Sequence, residues 1–194
     1  MATTIDDKRG DVSRRDFIYI ATGAFAALGA AAAIWPLIDQ LNPDASALSQ
    51  ASIEVDLAPV QTGQAITVLW RGKPIFIRNR TAEEIEKAKS TPLSELKDPD
   101  AQVLGAPSGL PATDENRTKP GKENWLIMVG ICTHLGCIPK GQSPGDEKGP
   151  YGGWFCPCHG SMYDTSGRIR QGPAPRNMEI PPYAFTGDTK IKIG

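Results

Sequence analysis

The chain has 194 residues, a length that accommodates one compact domain with appended segments. Its 21 Lys and Arg residues nearly balance 22 Asp and Glu residues, so no basic field is available to attract nucleic acid, and nucleic-acid binding is not expected. The 20 glycines and 17 prolines favour a loop-rich, all-β domain over a helical bundle.

The first predicted element is an apolar helix over residues 17–38, a run of 22 residues without a charge (FIYIATGAFAALGAAAAIWPLI). At about 1.5 Å per residue this helix spans roughly 33 Å, close to the ~30 Å hydrocarbon core of a bilayer. We therefore expect a single transmembrane anchor. The alternative is a cleaved signal peptide, because ASA at residues 45–47 resembles a cleavage site, but the apolar run exceeds the usual signal core of about 7 to 15 residues.

The charges that flank this helix predict its orientation. Residues 1–16 contain four basic side chains, and the next basic residue along the chain is Arg71. Under the positive-inside rule, residues 1–16 stay in the cytoplasm and the bulk of the chain lies on the other side of the membrane. Arg14 and Arg15, in SRRDFI, resemble a twin-arginine export signal, a route that carries folded proteins; a plain positive flank is the alternative.

Residues 39–51 (DQLNPDASALSQA) are small and polar and are expected to link the anchor to the domain that follows. Thirteen such residues reach about 45 Å when extended and about 20 Å as a flexible coil. We interpret the segment as a flexible hinge that lets the domain move, with a passive spacer as the alternative.

The remainder of the chain, residues 52–194, is predicted to form one all-β domain of antiparallel sheets. AITVLW and IFIR flank RGKP and predict a hairpin, while NWLIMVGI predicts a strand that leads into the first cysteine. Thr81 and Glu84 form a capping-box pattern that opens one short, surface-exposed helix, AEEIEKAK. Residues 98–124, rich in Gly, Pro and charge, are expected to form an irregular surface insertion, and KIKI at 190–193 a final edge strand.

Two short segments, CTHLGC and CPCHG, hold all four cysteines and both histidines of the chain. Cys132 and His134 lie two apart, so an extended backbone would point both to one face, whereas Cys156 and His159 lie three apart and suit a tight turn. Two cysteines with two histidines also suit zinc, so the ligand count does not choose the metal. Six metal-capable side chains exceed the four of a mononuclear site, and a surplus cysteine from each segment would suit a disulfide in an oxidising compartment.

CTHLGC and CPCHGS resemble the cluster-binding segments of Rieske iron-sulfur proteins, and WRGKPIFIRNRT, DTSGRI and GPAP extend the resemblance to the Rieske subunits of cytochrome bc complexes. The resemblance covers nearly the whole chain and implies one [2Fe-2S] cluster bound within residues 128–176. The iron ligands it implies are Cys132 and Cys156 on one iron and His134 and His159 on the other. It also pairs Cys137 with Cys158 in a disulfide. One departure is that residues 98–124 are longer than in the shortest members, which puts the contacts of that surface in doubt.

The same resemblance assigns roles to residues around the cluster. The hydroxyls of Ser161 and Tyr163 are expected to donate hydrogen bonds to cluster or cysteine sulfur, with ordinary loop hydrogen bonding as the alternative. GPAP, at residues 172–175, is expected to cover the cluster. The rim expected to dock against a quinol pocket comprises Leu135, Gly136 and Pro173. For Leu135, simple loop packing is the alternative.

The mixed ligand set explains what such a site would do. Replacing two anionic thiolates by neutral imidazoles raises the reduction potential by roughly 250 to 700 mV relative to an all-cysteine plant-type cluster. A ring nitrogen that does not bind iron gains proton affinity on reduction, so the potential is expected to fall as pH rises. His159 and His134 are the expected catalytic residues, and the family resemblance implies that His159 is the one that hydrogen-bonds the quinol.

We expect the chain to be a subunit of a bacterial quinol–cytochrome c oxidoreductase that takes one electron from ubiquinol and passes it to a c-type cytochrome. Its expected partners are cytochrome b, the c-type cytochrome and the lipid around the anchor, in a dimeric complex of the inner membrane with the head in the periplasm. A Rieske subunit of another periplasmic oxidoreductase, such as arsenite oxidase, is the alternative. A Rieske oxygenase would need two further histidines, and a structural zinc module would show no redox signal.

Overall fold

A computed structural model describes residues 13–44, 46, 51–141 and 143–194 of the chain. The chain divides into two compact units, Met1–Leu48 and Ser49–Gly194. Most of the predicted cytoplasmic segment and part of the predicted hinge lie outside the described residues. The division at residue 48 falls inside that predicted hinge.

The first unit contains helix α1, Arg14–Asp39. It begins at a capping box: the Asp16 N–H donates to Ser13 Oγ at 3.2 Å, and the Asp16 carboxylate accepts from the Ser13 N–H at 3.2 Å. Mean hydropathy reaches 1.9 over 18 residues, so the helix is long and apolar enough to cross a membrane. None of its described side chains is buried by protein, which is the exposure expected of an apolar helix that lies in lipid.

The described part of the second unit is built from three antiparallel sheets of three strands each, which confirms the predicted all-β class. The strands are β1 Ile53–Asp56, β2 Ala65–Trp70, β3 Lys73–Asn79, β4 Trp125–Val129, β5 Gly152–Cys156, β6 Ser161–Asp164, β7 Ile169–Gln171, β8 Tyr183–Phe185 and β9 Lys190–Ile193. The sheets have the orders β1-β9-β8, β2-β3-β4 and β5-β6-β7.

Strands β2 and β3 form the predicted hairpin, but its turn is shorter than the predicted RGKP, because Lys73 and Pro74 already belong to β3. Trp70 pairs with Lys73 across a two-residue turn, in which Arg71 and Gly72 have φ values of 51° and 73°. Two successive residues with positive φ match the right-handed twist of the flanking strands. Strand β4 forms as predicted and carries the chain towards the first cysteine. It is buried along its whole length, in keeping with its unbroken apolar sequence.

The last strand is not an edge strand, so that prediction was wrong. Strand β9 lies in the middle of its sheet, where Ile193 pairs with Ile53 on one side and with Tyr183 on the other. Ile191 and Ile193 are fully buried while the two lysines of the strand are exposed. The alternating pattern identified the strand, but only the return of the first strand of the unit to the same sheet fixes its central position.

The predicted short helix is α2, Ala82–Ser90, and its capping box is present. The Glu84 N–H donates to Thr81 Oγ1 at 3.2 Å, and the Glu84 carboxylate accepts from the Thr81 N–H at 3.2 Å. The prediction of only one helix in this unit needs correction, because the described residues also form a 3₁₀ turn, Leu93–Glu95, and a one-turn helix α3, Asp114–Arg117.

Residues 98–124 are irregular along most of their length and many are exposed, as predicted, but they are more than a surface insertion, because several of their side chains are buried in the protein. The Asp114 carboxylate is buried in a bidentate ion pair with Arg80, at 2.6 and 2.9 Å. The guanidinium of Arg117 is also fully buried and donates to the backbone carbonyls of Ala101, Ser166, Gly167 and Met178. A charged residue is expected at the surface unless the fold supplies a buried partner for it. Here Asp114 has Arg80, and Arg117 has the four carbonyls.

Candidate metal centre

The first cysteine segment is a tight turn that follows β4. The Gly136 N–H donates to the Cys132 carbonyl at 3.0 Å, and the Cys132 N–H donates to the Cys137 carbonyl at 2.8 Å. Gly136 has a φ of +84°, a conformation that favours glycine. The segment is therefore not extended, because two backbone hydrogen bonds close the turn. Cys132 is buried inside the turn, His134 is half-buried and Leu135 is 71% exposed at its tip.

The second cysteine segment closes the hairpin between β5 and β6. Cys156 and Ser161 are paired across the two strands, and the Gly160 N–H donates to the Cys156 carbonyl at 3.0 Å. This is the predicted tight turn. It buries Cys156 within the protein and leaves Cys158 and His159 exposed.

The two turns meet at one end of the second unit. The rings of His134 and His159 lie 4.7 Å apart between centroids and are nearly perpendicular, at 86°. The Sγ atoms of Cys137, Cys156 and Cys158 lie within 4.8 Å of one another. No sulfur–sulfur bond joins the four cysteines in this structure. The fold thus brings together side chains of two segments that stand 19 to 25 residues apart in the sequence.

Two of the thiols, those of Cys137 and Cys156, lie in environments that keep them neutral. Burial raises the pKa of the Cys156 thiol to about 12, and a hydrogen bond with the Cys132 thiol acts in the same direction. The pKa of the Cys137 thiol is raised by its hydrogen bond with Cys158. Thiols of this kind become thiolates when a metal replaces the proton.

Two hydroxyl groups lie beside the thiols. The buried Tyr163 hydroxyl donates to Cys132 Sγ at 3.3 Å and accepts from the Thr133 N–H at 3.3 Å. Burial raises the pKa of the Tyr163 hydroxyl, so it remains a donor at all physiological pH values. The buried Ser161 Oγ accepts from the Ala174 N–H at 3.1 Å, and its own proton is free to donate to another acceptor.

A third loop, GPAP at residues 172–175, lies against the second turn. Gly172 has a φ of +98°, and a Cβ atom at this position would lie 2.6 Å from both the Gly160 carbonyl oxygen and the Ser161 Cα. Only glycine fits so close to another backbone segment. Pro173 is exposed and Ala174 is buried, so the loop presents one face to solvent and the other to the site.

Sequence reasoning missed two residues that hold these loops together. Thr133 Oγ1 donates to the Arg176 carbonyl at 2.6 Å and joins the first turn to the segment after GPAP. Lys97 Nζ donates to the carbonyls of Gly172 and Ala174 at 2.8 and 2.9 Å. Because Thr133 lies between two predicted ligands, the sequence could have indicated that its side chain contacts a neighbouring loop. No sequence signal marks Lys97, which is more than 70 residues from the loop.

The donor set fits a [2Fe-2S] cluster with mixed ligation. Two neighbouring loops supply buried thiols on the inside and imidazoles on the outside, and a hydroxyl donates to one of the thiols. Soft thiolates suit iron–sulfur chemistry, and imidazole suits iron equally well. The two further cysteines exceed what a single zinc ion uses, so the whole set of six side chains is better explained by a cluster and a separate cysteine pair.

A family model described as "Rieske [2Fe-2S] domain" matches residues 88–184. The fold and the site therefore define a Rieske-type protein that carries one [2Fe-2S] cluster. A second family model, "Ubiquitinol-cytochrome C reductase Fe-S subunit TAT signal", matches residues 4–44 and supports a twin-arginine signal in this segment.

Similar proteins narrow the class further. The chain is 52% identical over 194 residues to the ubiquinol-cytochrome c reductase iron-sulfur subunit of Rickettsia prowazekii, with 100% of both chains covered. It is 54% identical over 185 residues to the subunit of the same name from Rhodospirillum rubrum, covering 95% of this chain and 93% of that protein. This chain belongs to the family of ubiquinol-cytochrome c reductase iron-sulfur subunits.

A solved structure is consistent with this assignment. A chain of "Hyperthermophilic respiratory Complex III" is 29% identical, with a TM-score of 0.53, and the match covers 89% of this chain and 98% of that chain. The predicted family and the predicted cluster are thereby confirmed, and the arsenite oxidase alternative is not favoured.

Proposed function

We propose that this chain is the membrane-anchored subunit through which a cytochrome bc complex removes one electron at a time from ubiquinol and passes it to a c-type cytochrome. The observation that carries the proposal is the meeting of two turns that enclose Cys132 and Cys156 and place the rings of His134 and His159 outermost, 4.7 Å apart. The full-length similarity to ubiquinol-cytochrome c reductase subunits supports the same function.

The four proposed iron ligands are Cys132, Cys156, His134 and His159. When bound, a [2Fe-2S] cluster supplies a one-electron acceptor, and two imidazoles in place of two thiolates raise its potential by roughly 250 to 700 mV. The buried positions of Cys132 and Cys156, each only 2% exposed, support their role as the inner pair.

The two imidazoles have a second role at the outer edge. His159 is exposed and His134 is half-buried, so each ring can present its remaining nitrogen outwards. We propose that the outward nitrogen of His159 accepts a hydrogen bond, and then the proton, from a quinol hydroxyl group. The proton of the quinol would then pass to His159, and its electron to the cluster that His159 binds.

The proposed rim around the imidazoles is apolar. Leu135 is 71% exposed beside His134, and Pro173 is exposed on the GPAP loop. Exposed apolar groups of this kind favour a dry contact with a partner. Gly136 completes the rim, because its positive φ turns the chain back immediately after Leu135. Ile138, three residues after Leu135, is 61% exposed, and we propose it as a further member of this rim that was not predicted from the sequence.

We propose a disulfide between Cys137 and Cys158. Their Sγ atoms belong to the group within 4.8 Å, and Cys137 hydrogen-bonds Cys158, which supports the pairing. The bridge would close a loop of about 22 residues and stabilise the head by about 3 kcal/mol through chain entropy. It requires an oxidising compartment, in agreement with a head in the periplasm.

The proposed membrane arrangement follows from the first unit. Residues 17–38 would cross the inner membrane in lipid, with residues 1–16, including Arg14 and Arg15, in the cytoplasm and residues 52–194 in the periplasm. Helix α1 and the match of residues 4–44 support an anchor that follows a twin-arginine signal. Residues 39–51 would be a hinge that lets the head serve cytochrome b and the c-type cytochrome in turn, in a dimeric complex.

The function is tested on the full chain within its bc complex in membranes. Anaerobic addition of ubiquinol should produce the electron paramagnetic resonance signal of a reduced [2Fe-2S] centre and should reduce the c-type cytochrome. Replacing Cys156 by serine should abolish both changes while the membranes keep the chain. Normal ubiquinol-dependent cytochrome reduction by the Cys156→Ser protein would contradict the proposal.

A further inference from the structure

One lysine from a distant part of the chain holds the GPAP loop. Lys97, after the 3₁₀ turn Leu93–Glu95, donates from Nζ to the Gly172 carbonyl at 2.8 Å and to the Ala174 carbonyl at 2.9 Å. Because one ammonium group makes two hydrogen bonds to the GPAP loop, the distance between this loop and residue 97 is fixed. A hydrogen bond from a charged donor is about twice as strong as one between neutral groups.

Ala174 links Lys97 to the site through a second hydrogen bond. The Ala174 residue is held at both polar atoms, since its carbonyl accepts from Lys97 and its N–H donates to Ser161 Oγ at 3.1 Å. Ser161 is fully buried and pairs with Cys156 across the hairpin. A serine oxygen that accepts a bond from one side has its own proton directed elsewhere, so the Ala174 bond restricts where Ser161 can donate.

Asp98, the residue after Lys97, also holds the segment that follows the GPAP loop. The Asp98 carboxylate accepts from the Asn177 N–H at 2.8 Å, and the Asn177 side chain donates to the Asp98 carbonyl at 3.1 Å. The pair Lys97 and Asp98 therefore holds both ends of the segment 172–177. Because the Asp98 contacts remain when Lys97 is replaced, the loop should stay attached while the position of Ala174 is relaxed.

We propose that Lys97 is a positioning residue for the electron-accepting site: it fixes Ala174, which directs the Ser161 hydroxyl towards the sulfur of the centre and so raises its reduction potential. This inference rests on the proposed function. Lys97 touches neither the thiols nor the imidazoles, and its effect passes through Ala174 and Ser161. Hydrogen bonds to sulfur raise the potential because negative charge on sulfur grows on reduction.

The test is a redox titration of the paramagnetic signal in membranes that contain the whole bc complex. Lys97→Met should lower the reduction potential at unchanged cluster content, and Lys97→Arg, which keeps a charged donor, should retain most of the wild-type value. Lys190→Met, which removes one lysine charge from β9, should leave the potential unchanged. The shift for Lys97→Met should persist in 0.5 M salt, since a direct effect of an exposed charge is screened there.

A double-mutant cycle with Ser161→Ala tests the route. If Lys97 acts through Ser161, Lys97→Met should shift the potential of the Ser161→Ala protein by less than half of its effect on the wild type. Equal shifts in both backgrounds, or no shift in the wild type, would overturn the inference. Should Lys97→Met fail to assemble, Lys97→Gln, with one neutral donor, should give an intermediate shift. A wild-type complex without a [2Fe-2S] signal would instead refute the proposed function.

Discussion

Replacing Tyr163 by phenylalanine removes one hydroxyl group from the site and leaves the ring in place. The hydroxyl is fully buried, donates to Cys132 Sγ at 3.3 Å and accepts from the Thr133 N–H at 3.3 Å. Negative charge on the sulfur grows on reduction, so the donated bond stabilises the reduced state more than the oxidised state. Its loss should therefore lower the reduction potential.

The size of the shift in reduction potential can be estimated from the strength of the hydrogen bond between Tyr163 and Cys132. A hydrogen bond to a charged group contributes about 1.5 to 3 kcal/mol, and because sulfur is a weak acceptor we expect about 1 kcal/mol of difference between the redox states. At about 2.3 kcal/mol per 100 mV, this difference lowers the potential by about 40 mV. The Thr133 N–H also loses its partner, which should lower the free energy of unfolding by about 1 kcal/mol.

The assay is a redox titration of the paramagnetic signal in membranes that hold the complete complex. Tyr183→Phe is a matched control, because the Tyr183 hydroxyl is buried and has no hydrogen-bond partner among the described residues. Its removal should leave the potential unchanged and should not destabilise the head. A Tyr163→Phe protein with full cluster content and the wild-type potential would refute the argument.

Three further predictions concern the chain around the site. Cys137→Ser should lower the free energy of unfolding in detergent by about 3 kcal/mol, and a reductant should lower that of the wild type equally; no change in either would exclude the bridge to Cys158. Asp114→Asn leaves Arg80 buried without its counter-charge and should cost about 3 to 5 kcal/mol near pH 7. Burial raises the pKa of Asp114, but Arg80 outweighs it and holds the pKa below the ordinary 3.8. The stabilisation by Asp114 is therefore present above pH 3.8 and lost as pH falls through the folded pKa, so urea unfolding at several pH values should show the wild type and the variant converge in acid. Prolines in residues 39–51 should slow turnover of the complex with the cluster intact, and unchanged turnover would exclude a moving head.

The parts of the fold that depend on local patterns were predictable. The capping box of α2 is set by Thr81 and Glu84 alone, and the hairpin turn by Arg71 and Gly72. The central position of β9 was not predictable, because it depends on a strand more than 130 residues earlier in the chain. The burial of Arg117 was missed for the same reason: its partners are backbone carbonyls from three separate segments, and composition gives no sign of them.

The candidate site also has parts that the sequence predicts and parts that only the folded chain shows. All six cysteine and histidine side chains were evident from the two segments, since no cysteine or histidine occurs elsewhere in the chain. The shape of the first turn was not predicted, because it depends on the positive φ of Gly136 and on backbone hydrogen bonds that join Cys132 to Gly136 and Cys137. The contacts of Lys97 arise only when the chain is folded, and they connect the segment after α2 to the GPAP loop.

The central claim is that two cysteines and two histidines hold one [2Fe-2S] cluster. It is tested most directly by metal and acid-labile sulfide analysis of the purified complex, together with pulsed electron paramagnetic resonance of a sample grown with ¹⁵N-histidine. We predict two iron atoms and two sulfides for this chain beyond the haem iron, and magnetic coupling of the reduced centre to two histidine nitrogens. Zinc without sulfide, or a cluster signal without coupling to histidine nitrogen, would contradict the account.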